Sequence, residues 1–145
     1  MQIRKAGPLD ISAIVHLLVD MHNNAEVPLS PIHSEKLVSK VNEVIHRGVV
    51  FVAMKENILI GSIGGKVMSD WWAENKYLSD LWLYVSPDHR KSSAGIELIK
   101  NMYSLPDDKK TNTVLDTFLN VDDQVSAIVD DSIENRFINK FIEYV

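Results

Sequence analysis

Apolar positions along this chain recur at two different periods, and the change of period divides it into elements. Residues Gln2–Ala6 read as a short strand, followed by Gly7-Pro8. Proline suits the first position of a helix, and Asp10 falls where exposed helix N–H groups favour negative charge. Ile11, Ile14, Val15, Leu18 and Met21 then step by three and four residues, which predicts an amphipathic helix of roughly three turns. The two prolines of the loop Asn23–Pro31 break it. A second helix is expected from Ser34 as N-cap, with Leu37, Val38, Val41, Val44 and Ile45 as its apolar stripe. Gly48 ends it, and Arg47 stands in its last turn. From Val49 the pattern turns β-rich. Val49–Met54, the polar turn Lys55-Glu56-Asn57 and Ile58–Met68 read as an antiparallel hairpin. A loop with Trp71 and Trp72 leads to a strand over Tyr77–Val85, which Pro87 stops. A helix from about Ser93 to Leu105 buries Ile96, Leu98, Ile99 and Met102. Pro106 to Lys110 read as a turn, Thr113–Leu119 as a further strand candidate, and Gln124–Tyr144 as one long or broken helix, with a terminal strand left open. The order β-α-α-β-β-β-α-β-α predicts an α/β domain, a mixed sheet with helices on its faces.

Composition narrows the function. A chain of 145 residues with 46% hydrophobic and 24% charged residues builds one ordinary folded domain, expected over 1–145. The absence of cysteine excludes disulfides, thiolate nucleophiles and zinc-thiolate sites. A net charge of −5 argues against sequence-independent nucleic-acid binding, which needs clustered Lys and Arg, and suits a cationic partner such as an amine. No apolar run approaches the ~20 residues of a membrane span, and the first residues lack the apolar core of a signal peptide. The expectation is a cytoplasmic protein that binds no membrane.

One segment carries chemistry: Val85-Ser86-Pro87-Asp88-His89-Arg90-Lys91-Ser92-Ser93-Ala94-Gly95. A strand ends, proline blocks its extension, and small residues open a helix. Small side chains let a ligand approach the backbone, and the first helix N–H groups point outward with the positive end of the dipole. Arg90, Lys91, Ser92 and Ser93 add to this anion site. Taken alone, the segment fits either a phosphate site or an ordinary strand–helix turn with a serine cap.

The same segment resembles the acetyl-CoA signature of the GNAT superfamily of N-acetyltransferases, Arg/Gln-x-x-Gly-x-Gly/Ala after a strand ending in valine. It matches as Arg90 to Gly95, with Ser93 at the central glycine. The resemblance extends from Met1 to about Tyr103, through Ile3-Arg4-Lys5-Ala6 with Asp10-Ile11 and the hairpin ending Ile60-Gly61-Ser62-Ile63-Gly64-Gly65. It implies a mostly antiparallel central sheet flanked by helices and direct transfer of an acetyl group from acetyl-CoA to a primary amine of a small molecule or peptide. Backbone groups of Leu83 and Val85 would pair with the pantetheine arm. Those of Arg90, Lys91, Ser92, Ser93, Ala94 and Gly95 would hold the pyrophosphate.

The acid–base positions that the resemblance implies depart from the family. Its glutamate on the fourth strand corresponds to Ser79, with Asp80 beside it. Adjacent strand residues face opposite ways, so Asp80 takes that role only where a bulge or twist redirects it and otherwise reads as a solvated or hydrogen-bonded strand carboxylate, while a serine at position 79 would instead hold a relay water. The family's closing tyrosine corresponds to Ile138; Tyr144 is the nearest phenol, and Tyr84 sits on the binding strand. These departures leave a second reading, a catalytically idle module of the same fold that binds acyl-CoA or a protein. The apolar stripe of Gln124–Val145 leaves a homodimer open as well.

Other features carry two readings each. Gly61-Ser62-Ile63-Gly64-Gly65 lies inside a strand pattern without a following Lys-Ser/Thr, so close packing or a bulge fits better than a phosphate loop. Trp71 and Trp72, with Asp70 and Glu74, form either a lid for a cationic amine or a loop with one indole tucked into the core. His22 and His33 flank a loop that the resemblance places beside the acceptor cleft, which makes His22 either a further candidate base or a surface or helix-face histidine.

Overall fold

A computed structural model of the chain describes residues 1–74 and 76–103. The strand expected over Thr113–Leu119, the helix over Gln124–Tyr144, and positions Ile138 and Tyr144 lie outside the described residues. In chain order the elements are β1 (Gln2–Lys5), α1 (Ile11–Asn23), α2 (Ser34–Arg47), β2 (Val49–Lys55), β3 (Ile58–Met68), β4 (Tyr77–Val85) and α3 (Ala94–Tyr103), with 3-10 turns at Pro8–Asp10 and Pro87–His89. The four strands form one antiparallel sheet in the order β1-β2-β3-β4.

Both faces of the sheet are covered, which is why β2 is apolar at successive positions. Alternate residues of a strand point to opposite faces. Val50 and Val52 pack with Ile14, Leu18, Val41 and Val44 under α1 and α2. Phe51 and Ala53 pack with Leu98, Ile99 and Met102 under α3. Each helix presents a three- and four-residue apolar stripe to its face and leaves its polar side outward. Among the described residues, no helix is long and apolar enough to cross a membrane.

Local signals explain the joints. At the β2–β3 turn Glu56 and Asn57 have φ of 51° and 64°, the doubly positive pattern that matches hairpin twist. The N-cap of α2 is His33 rather than Ser34: the Lys36 N–H donates to His33 Nδ1 at 3.2 Å. Of the tryptophans, Trp82 enters the core at 6% exposed, whereas Trp71 and Trp72 are 91% and 67% exposed and meet edge to face at 5.4 Å. Neither of that pair is tucked in. The end of the β3–β4 hairpin projects beyond the covering helices, as the exposed Val67 and Met68 also show.

Arg4 of β1 donates two hydrogen bonds of 2.8 Å to the Asp10 carboxylate, which also accepts the Gly7 N–H at 2.8 Å. The guanidinium first, and then the Gly7 N–H, hold the Asp10 carboxyl below the usual carboxylate range against the opposing effect of burial. This clasp fixes where the chain turns from sheet to helix. A carboxyl with a lowered folded-state pKa contributes stability above its unfolded pKa and loses it as pH falls through the folded value. Asp10→Ala is therefore expected to cost about 1 kcal/mol at pH 7, comparable to loss of a helix cap. The difference from wild type should shrink as pH falls below the ordinary aspartate value of ~3.9, read from urea midpoints across pH.

Candidate functional site

The site is built on β4 and the turn that follows it. Antiparallel ladders alternate bonded and non-bonded pairs, so one bond fixes the orientation of the rest. Ser86 N–H donates to Ile60 O at 2.8 Å. With Gly61 opposite Val85 and Ile63 opposite Leu83, these two positions turn their N–H and C=O groups away from β3. Among the described residues β4 is an edge strand, so those groups line its open side. Arg90 Nε donates to Val85 O at 3.1 Å from that side.

Beyond Val85 the chain makes the 3-10 turn, passes through Lys91 at φ 64°, and enters α3. The left-handed residue is Lys91, not Ser93, so serine at the family's central glycine position meets no backbone strain here. Some N–H groups of the segment are already engaged. Arg90 N–H donates to Pro87 O at 3.3 Å, and Ala94 N–H to Ser92 Oγ at 3.3 Å. Those of Lys91, Ser92, Ser93, Gly95 and Ile96 meet no protein acceptor among the described residues. Five unpaired donors beside a left-handed residue at a helix N-terminus make a nest of backbone N–H groups, an arrangement suited to an anion. Ile96 is a member that the sequence pattern missed. Arg90 itself turns away from the nest: its guanidinium carbon lies 5.1 Å from the centre of the Tyr84 ring.

A bulge in β4 decides where the acid–base candidates face. Pairing passes from Gly64 opposite Trp82 to Gly65 opposite Asp80, leaving Leu81 without a partner on β3. Straight alternation from Val85 would put Ser79 on the α3 face and Asp80 on the α1/α2 face. The extra residue exchanges them. Asp80 stands opposite Gly65, where an added Cβ would touch Leu78 and Met102 of the α3-side core. Ser79 stands opposite Lys66, whose ammonium bonds Glu43 of α2. The half-buried Asp80 carboxylate has no side-chain partner among the described residues, and burial raises its pKa above the usual range.

On the α1/α2 face the bulge opens into a cleft of about 800 Å³. Leu81 and Trp82 form one wall; Leu18, Met21 and Leu37 form the apolar floor. Trp82 is braced from below, its indole N–H donating to Ser62 Oγ at 3.0 Å and that hydroxyl donating to Phe51 O at 3.0 Å. His22 lines the cleft and bonds Ser30 O at 2.7 Å through Nε2. A carbonyl only accepts, so Nε2 carries a proton in this contact. Tyr84 is committed elsewhere: its hydroxyl donates to Asp20 at 2.9 Å, and burial and then that carboxylate hold its proton more tightly.

No protein-family model matches the chain, and no curated protein matches it. Solved structures do. It superposes on a possible acetyltransferase from Clostridium difficile 630 with a TM-score of 0.61 and 17% identity, over 78% of this chain and 74% of that one. An aminoglycoside 6'-N-acetyltransferase from Acinetobacter haemolyticus gives 0.63 and 12%, over 100% and 91%. A predicted acetyltransferase with acetyl-CoA from Clostridium acetobutylicum gives 0.57 and 16%, over 70% of each chain. With its antiparallel sheet between α1/α2 and α3, the chain has the fold of the GNAT-type acetyltransferases.

Proposed function

We propose that the protein is an N-acetyltransferase that uses acetyl-CoA and a primary amine. The observation that carries this reading is the conjunction of an outward-turned edge backbone at Leu83 and Val85 with five unpaired N–H groups immediately after it. A diphosphate suits the nest, because backbone donors and the helix dipole both favour negative charge there. An amide-bearing arm suits the strand edge, where it continues the sheet's own hydrogen bonding. From Val85 to Leu81 the strand spans ~13 Å, which brings the end of such an arm to the bulge and the mouth of the cleft. Acetyl-CoA, when bound, supplies the thioester whose C–S bond breaks as the C–N bond to the amine forms.

The chain's own residues then have defined tasks. The cleft between α1, α2 and the bulge holds the acceptor, with Leu81 and Trp82 against its apolar part. An alkyl amine with a pKa near ~10 arrives protonated at pH 7, so a proton must leave before attack. Asp80 is the base: burial raises its affinity for a proton, and it has no competing side-chain partner among the described residues. It faces the α3 side while the cleft opens on the other, so the proton reaches it around the strand edge by way of water.

Calorimetry with acetyl-CoA and thiol release with a panel of amines test the reading. Ser93→Glu is the informative variant. A glutamate at the start of α3 favours the helix dipole, so the fold should keep its stability, while its charge in the nest should weaken acetyl-CoA binding at least tenfold. Unchanged affinity in that variant would refute the nest as the diphosphate site.

A further inference from the structure

The charges around the cleft point to a class of acceptor. Lys36 and Lys40 are one helical turn apart on α2 and both line the cleft, with His22 and His33 nearby. Among the described lining residues Glu43 is the one carboxylate. It is already engaged twice, by Lys40 at 3.1 Å and by Lys66 from β3. Those two ammonium groups hold the Glu43 carboxyl below its usual range, so it stays ionised and stays committed. Lys36 has no carboxylate partner among the described residues. The chain as a whole carries −5, yet among the described residues lining this cleft cations outnumber anions, and a local field decides what enters a cleft more than net charge does.

Resting on the acetyl-transfer reading, we propose that the acceptor is an apolar monoamine that also carries a carboxylate, a free amino acid or a short acidic peptide with an apolar first residue. Its carboxylate lies at Lys36 and Lys40, and its apolar side chain between Leu37, Leu81 and Trp82. A polycation would bring further ammonium groups against Lys36 and Lys40 with no uncommitted carboxylate at the described lining to receive them. An α-amine in a peptide has a pKa of about 7.7–8.0, so more of it is neutral at pH 7 than of an alkyl amine.

The indole N–H signal of Trp82 in a two-dimensional NMR spectrum reads occupancy of the cleft without any turnover. Leucine, the dipeptide Leu-Glu, leucinamide and spermidine are titrated separately. Leucine or Leu-Glu should shift that signal at least tenfold more tightly than leucinamide, and spermidine should not shift it. Tight binding of leucine alone marks a free amino acid as the acceptor, and of Leu-Glu alone a peptide end. In Lys36→Ser/Lys40→Ser the preference over leucinamide should collapse. Equal binding of leucinamide, tighter binding of spermidine, no shift with any of the four, or a preference that survives the double variant would each overturn the proposal. Acetyl-CoA calorimetry on the same sample is separate: its failure would sink the acetyl-transfer reading while leaving the charge preference of the cleft measured.

Discussion

Gly64→Ala will lower the stability of the domain by about 3 kcal/mol, of which overpacking contributes ~1–3 and a disrupted buried hydrogen bond about 1. A methyl group at Gly64 would lie 2.3 Å from the Trp82 ring, far inside contact distance. The indole cannot simply rotate aside, because its N–H is bonded to Ser62 Oγ and that hydroxyl to Phe51 O. Relief requires breaking this chain of bonds or opening the bulge beside it. Such a loss should bring the melting temperature down by roughly 10 °C, with circular dichroism showing the same fold below the transition. Trp82→Phe in the Gly64→Ala background should recover part of the loss. Additive effects of the two substitutions would show that the methyl group and the ring do not meet.

The glycine pair at that bulge shows what the sequence discloses and what it withholds. β3 and β4 are legible to the residue, since β-rich runs bounded by Asn57, Met68 and Pro87 leave little freedom in where they begin and end. Gly64-Gly65 inside a strand signals close packing or a bulge. Its register is not legible, because it depends on Trp82 claiming the space that Gly64 vacates from across the sheet. That one register shift sends Asp80 to the face Ser79 would otherwise hold. The nest was legible in outline from Arg90 to Gly95, but not which donors stay unpaired. The 3-10 turn consumes Arg90 N–H, Ser92 consumes Ala94 N–H, and Ile96 joins instead. Hidden from the sequence were the Tyr84–Asp20 bond, 64 residues apart, and the Lys66–Glu43 pair joining β3 to α2. The i,i+4 spacing of Lys36 and Lys40 was a readable hint of a basic helix face; that this face borders the cleft is tertiary information.

Asp80→Asn is expected to reduce kcat/KM for acetyl transfer by roughly 10²–10³, the contribution of a general base, while making the folded domain more stable at neutral pH. The opposition follows from the position of the carboxylate. Burial, opposed by a backbone hydrogen bond and by no side-chain partner among the described residues, raises its pKa, so its ionised form is a cost to the fold and an aid to proton removal. For a group whose folded pKa lies above its unfolded value, near ~3.9 for aspartate, the stabilising contribution is complete below that unfolded value. It is lost as pH rises through the folded pKa. The substituted amide carries no charge at any pH, so the variant should gain on wild type as pH climbs from about 4 toward 7 and show no pH-dependent difference below. The pH–rate profile of the wild type should fall on its acidic side as Asp80 takes up a proton, and the residual rate of Asp80→Asn should lack that limb. His22→Gln should keep it. A limb that persists in Asp80→Asn and disappears in His22→Gln would transfer the base to the imidazole in the cleft. A rate loss in Asp80→Asn without any gain in neutral-pH stability would mean that a favourable contact holds the carboxylate and that burial does not destabilise its ionised form.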